Sequence, residues 1–478
     1  MSSTIKNLSW KFMERVAAQL VQLIVSVVLA RMLLPSDYGA VAMVTVFIML
    51  ANTIIEGGFS SALVQKKDAD ELDFSTVLYF SIFFSLILYA ALFYSAPYIS
   101  LFYGKGYEIL TPVLRVLGLQ VIVYAINSVQ QAYVQKKMMF KNFFWATLIG
   151  TLASAIVGLT MAYNGYGIWS IVAQQLTANV INTLTLYAIT KQRPILAFSF
   201  NRLNELYKFG VKILGANLLI TGYQELRALI IGKLYTAQDL AFFDRGKQFP
   251  SLIVTNINSS IGAVLFPKMA LEQNDIERVK NSTRISIRFS SYIMSPLMLC
   301  LAAIAEPFIR VVLTEKWIQC VPLMQLFCIV FLFMPIHTAN MQALKAIGKS
   351  GTILTLEIIK KIIELVSLIA VVWISVKAIV INMAVLTILF TIINAYPNKN
   401  YLNYSFKEQA IDILPAIIMS TFMYIVIFIF NNITNIDDIY KIPIDIAIGL
   451  IIYYILSKIT NNSEFLYIVN ALTKGYGK

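Results

Sequence analysis

Residues 225–267 read ELRALIIGKLYTAQDLAFFDRGKQFPSLIVTNINSSIGAVLFP, and the fold turns on how this stretch is read. Apolar runs on either side of a short Thr236-Ala237-Gln238 break predict a helical hairpin. One helix leaves at Lys233 and a second runs on to Pro267. Arg227, Lys233, Arg245 and Lys247 sit in or beside hydrocarbon-compatible sequence. At mid-bilayer each would cost about 2.5–3.5 kcal/mol, tolerable only where the cation faces water, a partner or an anion. The hairpin also echoes the start of the chain. Arg31 and Asp37 of ARMLLPSDYG recur as Lys233 and Asp239, both 202 residues on.

Composition widens the hairpin into a class. Of 478 residues, 58% are hydrophobic and 13% charged, and the mean hydropathy is +0.73. Repeated apolar runs of about 18 residues or more identify an all-α polytopic membrane protein. Residue-by-residue alternation, the mark of a membrane β-barrel, is absent. Trp10–Leu29 has no small-residue cleavage site and is expected to stay as the first span. A net charge of +13 would point a soluble protein toward nucleic acid. Here the cations cluster in short loops, as membrane topology requires, and no nucleic-acid partner is expected. Cys300, Cys320 and Cys328 lack metal-ligand spacing, and His337 is the single histidine. Neither a disulfide framework nor a metal site is expected.

About fourteen spans follow, near 10–30, 38–56, 75–96, 112–134, 143–163, 167–190, 209–232, 240–265, 285–306, 320–344, 352–374, 376–396, 411–431 and 440–457. With the N-terminus inside, 22 of the 38 Lys and Arg fall in inner segments, 7 in outer loops and 9 within spans. That bias puts both termini in the cytoplasm. The repeat continues at an offset of 210: Pro97-Tyr98-Ile99 returns as Pro307-Phe308-Ile309, and Pro112 as Pro322. Six spans separate equivalent positions, which preserves direction and predicts two parallel, pseudo-symmetric six-helix lobes. The expected division is an N-terminal lobe over 1–190, a cytoplasmic connector over 191–208, a C-terminal lobe over 209–397, and spans 13 and 14 with a cytoplasmic tail over 398–478.

Several spans carry polar stripes at helical spacing. Span 1 has Arg15, Gln19, Gln22 and Ser26, and span 2 has Thr45, Asn52 and Glu56. Span 4 has Gln120, Tyr124, Asn127 and Gln131, and span 6 has Gln175, Asn179 and Asn182. Span 8 adds Gln248, Thr255 and Ser259. Span 7 sets Lys212, Tyr223 and Arg227 on one side, its two cations about 22 Å apart along the axis. One stripe alone would read as interhelical hydrogen bonding. Five stripes over both halves favour a common water-filled central cavity. Span 5 differs: Gly150, Ser154 and Gly158, four apart, make a small-residue packing face. Lys360 and Lys361, beside Glu357 and Glu364, read as an ion-paired helix face, and His337 as a packed hydrogen-bonder.

Enzyme chemistry finds little purchase. Gly348-Lys349-Ser350 resembles the end of a phosphate loop, but Ala343 stands where the earlier glycine is needed, and an apolar helix precedes it instead of a strand. There is no nucleophile elbow or HExxH, and no loop large enough for a soluble catalytic domain. The chain is expected to move something without consuming it.

Ordered motifs carry a resemblance. They are Leu29-Ala30-Arg31 with Leu34-Pro35-Ser36-Asp37-Tyr38-Gly39, the run Gly57 to Lys67 (GGFSSALVQKK), and Ile230-Ile231-Gly232-Lys233. Val264-Leu265-Phe266-Pro267, Leu313-Thr314-Glu315-Lys316-Trp317 and Ala346-Ile347-Gly348-Lys349-Ser350 follow, so that most of 10–360 is covered in order. This set resembles the polysaccharide-specific flippases of the multidrug/oligosaccharidyl-lipid/polysaccharide exporter superfamily, most of all the Wzx-type branch. The resemblance implies two six-helix bundles around a central cavity with two extra C-terminal helices. It also implies transfer of an undecaprenyl-diphosphate-linked oligosaccharide to the periplasmic leaflet of the bacterial inner membrane, driven by an ion gradient or membrane potential and without a cofactor.

Carrying a diphosphate and hydrated sugars across about 30 Å of hydrocarbon needs a wet, cationic lining. Guanidinium groups hold phosphate oxygens in a fork, and amides replace sugar hydration. The candidates for the diphosphate are Arg15, Arg227 and Arg245, with Lys212, Lys247 and Arg288 behind them. For sugar contact they are Gln19, Gln22, Gln131, Gln175 and Asn179. Glu14, Glu56 and Asp244 are candidates for coupling to H+ or Na+. The partners expected are the lipid-linked oligosaccharide and membrane lipids, with polysaccharide polymerase machinery a further candidate. Two alternatives stand beside this reading: a multidrug-type small-molecule antiporter on the same frame, and a non-transporting scaffold of a glycan-assembly complex.

Overall fold

The computed structural model describes residues 19–190 and 193–475. Among them the regular structure is helical, with no strand. In chain order the helices are α1 (Gln19–Met32), α2 (Pro35–Glu56), α3 (Phe59–Gln65), α4 (Glu71–Tyr103), α5 (Leu110–Leu117), α6 (Leu119–Lys136), α7 (Phe140–Tyr163), α8 (Ile168–Thr190), α9 (Phe200–Leu234) and α10 (Ala237–Leu271). Then come α11 (Ile276–Ala303), α12 (Ala305–Val312), a 3-10 turn (Glu315–Cys320), α13 (Val321–Leu332), α14 (Met334–Ala346), α15 (Ser350–Val371), α16 (Val376–Leu402), α17 (Phe406–Ile433), α18 (Asp438–Ile459) and α19 (Ser463–Gly475). Nine helical stretches among the described residues are long and apolar enough to cross a bilayer, which makes this a multi-pass membrane protein. Helices α8, α9, α10 and α15 fall outside that set.

The helical hairpin expected over 225–267 forms, and the residues it repeats from the start of the chain share a role. Asp37 accepts from the Leu34 backbone N–H at 3.2 Å and so caps the start of α2. Asp239, 202 residues on, accepts from the Thr236 N–H at 3.1 Å and the Thr236 hydroxyl at 2.7 Å at the start of α10. The other repeated position is a cation at a helix end: Lys233 bonds the Phe102 carbonyl and lies 4.7 Å from the Phe102 ring centre.

The chain divides into two compact units, Met1–Ala241 and Phe242–Lys478. In the first, α9 packs on α2, α3 and α4, and α7 lies along α8. Helix α9 starts at Phe200, inside the stretch read as connector, because Ser199 caps it through the Arg202 N–H. The α2–α3 junction turns on Gly57 and Gly58, both left-handed (Gly58 at φ +74°). There the backbones of two elements touch: a Cβ on Gly58 would lie 2.3 Å from the Gly210 carbonyl oxygen, and one on Gly210 2.7 Å from that of Gly57. Along α7, a Cβ on Gly150 would meet the Ala178 carbonyl at 3.0 Å and one on Gly158 the Gln174 side chain at 3.0 Å. The small-residue face read from the sequence is thus a packing seam. Phe59, Leu63, Phe74, Val129 and Leu206 fill the core near the α3 end.

In the second unit α11 is the hub, packed against α13, α14, α16, α17 and α18. Leu265, Met269, Ile287, Ile336 and Tyr404 form one core cluster, and Trp317 of the 3-10 turn is fully buried. Replacing Gly210 by Val should force the α2–α3 junction away from α9. Overpacking of this kind costs about 1–3 kcal/mol. The expected outcome is a lower thermal unfolding midpoint in detergent with reduced membrane levels, whereas an unchanged midpoint would show that the contact carries no weight.

Candidate functional site

In the first unit the polar stripes of α6 and α8 face each other. Asn179 donates to Gln120 at 2.9 Å, and Asn127 donates to Asn182 and Thr183, each at 2.9 Å. Asn182 reaches Thr147 of α7 at 3.3 Å, and Gln131 donates to Asn127. Interhelical bonds of this type contribute about 0.6 kcal/mol each, so the ladder is modest glue with a fixed register. It engages Gln131 and Asn179, two of the residues read as sugar contacts. Gln175 is half-buried one turn before Asn179, while on α1 Gln19 is half-buried and Gln22 exposed.

Glu56 ends α2 half-buried and accepts from the Tyr124 hydroxyl at 3.3 Å. Of the α9 cations, Lys212 is exposed, and Arg227 is half-buried with its guanidinium 5.5 Å from the Tyr223 ring centre. Arg15 and Glu14 lie outside the described residues.

In the second unit the α10 and α11 cations take different surroundings. Arg245 is 7% exposed, donates to Gln248 and lies 5.4 Å from the Trp317 ring centre. Asp244 and Lys247 on either side of it are exposed. Arg288 pairs with Glu464 of α19 at 2.6 Å and also donates to Ser463. Arg245 and Arg288 are therefore engaged within their own unit. On α15, Lys360 pairs with Glu357 at 2.6 Å and Lys361 with Glu364 at 3.1 Å, the ion-paired face anticipated from the sequence.

Two ionic clamps were not anticipated. In the first unit Arg202, at the start of α9, bonds Asp70 at 2.6 Å and Asp73 at 3.2 Å at the start of α4. Lys66 bridges Asp73 at 3.1 Å and Glu205 at 3.0 Å. In the second unit Arg284 of α11 grips Asp412 of α17 through two bonds of 2.8 Å, and Lys280 reaches Glu408 at 3.2 Å. The Tyr404 hydroxyl adds a further bond to Asp412, at 2.8 Å. Helix caps align the two: Asp70 and Asp275 cap α4 and α11, and Ser199 and Ser405 cap α9 and α17. The signal was present in the sequence as acids and bases spaced three or four apart at helix starts. Burial works against ionisation of Asp70, yet the Asp73 backbone N–H and Arg202 outweigh it and hold its pKa below the usual carboxylate value. Its share of the clamp is complete above about pH 4 and is lost only as pH falls through the lowered value.

These features define a multi-pass helical membrane protein of two units, with cations held at selected points on otherwise apolar helices. Its fold is that of the lipid II flippase MurJ in its inward closed conformation, with a TM-score of 0.74 at 14% identity, covering 95% of this chain and 98% of that one. Residues 28–322 match the family described as polysaccharide biosynthesis protein. The chain belongs to this family. It is 22% identical over 324 residues to the succinoglycan biosynthesis transport protein ExoT of Rhizobium meliloti (strain 1021), a match covering 68% of this chain and 65% of ExoT. It is also 22% identical over 343 residues to the teichuronic acid biosynthesis protein TuaB of Bacillus subtilis (strain 168), covering 71% of each.

The second clamp offers a direct energetic test. Asp412 is 4% exposed and Arg284 41%, so Arg284→Met strands a buried carboxylate that keeps only Tyr404. The expected loss is about 1–3 kcal/mol, held down by the solvent around the guanidinium. Adding Asp412→Leu in the same chain should recover most of it, since removing both partners leaves no orphaned charge. Chemical unfolding of the two single variants and the double variant measures the coupling, and simple additivity would refute it.

Proposed function

We propose that this protein is a transporter that moves a diphosphate-linked oligosaccharide lipid from the cytoplasmic to the periplasmic leaflet of the bacterial inner membrane, for surface polysaccharide assembly. The observation that carries the reading is the family match over residues 28–322 on a MurJ-like fold. ExoT, which takes part in succinoglycan biosynthesis transport, and MurJ, a flippase of lipid II, support the same substrate class. The physical reading agrees. The sugars and diphosphate cannot cross hydrocarbon bare, and the chain has cations and amides on helices that are otherwise apolar.

Arg227, Lys212 and Lys247, with Arg15 from the first span, are the groups we assign to the diphosphate. Arg245 and Arg288 act by holding α10 and α11 in place through Gln248, Trp317 and Glu464. Gln19, Gln22 and Gln175 contact sugar, while Asn179 sets the α6–α8 register through Gln120, Gln131 braces Asn127 within α6, and both reach sugar from there. Coupling to H+ or Na+ runs through Glu56, which Tyr124 orients, with Glu14 and Asp244 as the other carboxylates proposed. Both termini lie in the cytoplasm by the distribution of Lys and Arg, and polysaccharide polymerase machinery is the proposed protein partner.

A deletion strain should accumulate lipid-linked oligosaccharide on the cytoplasmic leaflet, and the wild-type gene should clear it. Arg227→Ala should clear it about tenfold more slowly or worse at normal membrane levels, the loss expected of a phosphate contact worth about 1.4 kcal/mol or more. Full clearance by Arg227→Ala and by Arg15→Ala would overturn the diphosphate assignment. Failure of wild-type protein to clear the leaflet would overturn the transport reading itself.

A further inference from the structure

Helices α13, α14, α15 and α16 of the second unit line a half-open cavity of about 460 Å³, within the size range of small-molecule sites. Its walls mix charge and grease. Lys345, Lys360 and Lys361 face Glu357 and Glu364, a formal surplus of one positive charge. Phe331, Phe390 and Met383 supply apolar surface beside them. Lys360 is only 9% exposed, so the charge is built into the wall.

Asn394, also in the lining, is 0% exposed, and neither its Oδ1 nor its Nδ2 has a hydrogen-bond partner among the described residues. Buried side-chain amides without partners are uncommon in native proteins and call for a reason. A metal cation does not supply one. It could satisfy Oδ1 but would oppose the Nδ2 hydrogens, and it would enter against the Lys360 and Lys345 ammonium groups. The complement of this wall has a donor and an acceptor side by side, an apolar face and a negative charge. A sugar ring offers hydroxyls that both donate and accept, and C–H faces for Phe331 and Phe390. An acidic sugar adds the carboxylate that the surplus ammonium takes.

We propose that this cavity is a subsite for one acidic monosaccharide unit of the transported glycan. Hydroxyls engage Asn394 and Gln342, and the carboxylate lies toward Lys345 at the rim. The proposal rests on the flippase reading, and it names a chemical class that the reading leaves open. The Lys360–Glu357 and Lys361–Glu364 pairs then do more than neutralise one another, because they hold the α15 wall rigid and charged while a polar ligand enters.

The test uses the full chain in lipid nanodiscs with three probes, D-glucuronate, D-glucose and sodium chloride, followed by saturation-transfer NMR and by thermal shift. D-glucuronate should bind saturably and about tenfold more tightly than D-glucose, equivalent to about 1.4 kcal/mol. Lys345→Gln, at an exposed position, should abolish that preference. Asn394→Leu should weaken both sugars about tenfold. Absence of sugar binding to wild type, equal binding of the two sugars, or affinities unmoved by Lys345→Gln would overturn the proposal, as would a response to sodium alone. Loss of sugar binding beside intact clearance in the leaflet assay would retire this subsite and leave the transport reading standing.

Discussion

Hydrocarbon offers no hydrogen bonds, so each polar group carried into it must find a partner within the protein or in water that the protein admits. The structure can be followed as a set of answers to that demand. Amides on α6 and α8 answer one another, Asn127 serving both Asn182 and Thr183. Lysines on α15 answer through carboxylates one turn away. Arg245 answers through Gln248 and the face of Trp317. Because few spare partners exist in such surroundings, the answers that cross between helices fix a helix rotation as well as an energy.

Close backbone contact is the other means of holding helices together where the hydrophobic effect is weak. Gly58 and Gly210 bring backbones nearer than a Cβ would allow, and Gly150 and Gly158 let α7 approach α8 to where a Cβ would be crowded. Dispersion then acts over a short distance, and the amide ladder supplies the register that smooth surfaces lack. The long α9 belongs by its contacts to the first unit, packed on α2, α3 and α4 and tied there by Arg202. A helix with an exposed Lys212 and a half-buried Arg227 is thus borne on a firm support.

Much of this was legible in the residues, for identifiable reasons. Helical hydrophobic runs marked the elements, and the offset between Asp37 and Asp239 marked a repeat whose shared role is a helix cap. The α7 glycines marked a packing face, since three small residues four apart have few other uses. Polar stripes were harder, because a stripe tells which side of a helix is polar but not what stands opposite. Asn179 and Gln131 read equally well as sugar contacts and as partners of Gln120 and Asn127. Asn394 carried no signal at all: a lone amide in an apolar span is ordinary until its surroundings are known. The clamps are not visible in the sequence as pairs because all but one of their ion pairs, Lys66–Asp73, join residues more than a hundred apart, as Arg284 and Asp412 are, and only folding brings them together.

The clamps also differ in polarity. In the first unit the acids Asp70 and Asp73 at the earlier helix face the base Arg202 at the later one, with Lys66 and Glu205 adding one pair of the opposite sense. In the second the bases, Lys280 and Arg284, stand at the earlier helix and the acids Glu408 and Asp412 at the later. A chain built from two similar halves risks docking a helix into its counterpart's berth while it emerges from the ribosome. Were α17 to settle beside α4, carboxylate would confront carboxylate, and α9 beside α11 would set guanidinium against ammonium. With the principal charges inverted between the two clamps, each late helix meets opposite charge beside its own early helix, Arg202 at Asp70 and Asp412 at Arg284.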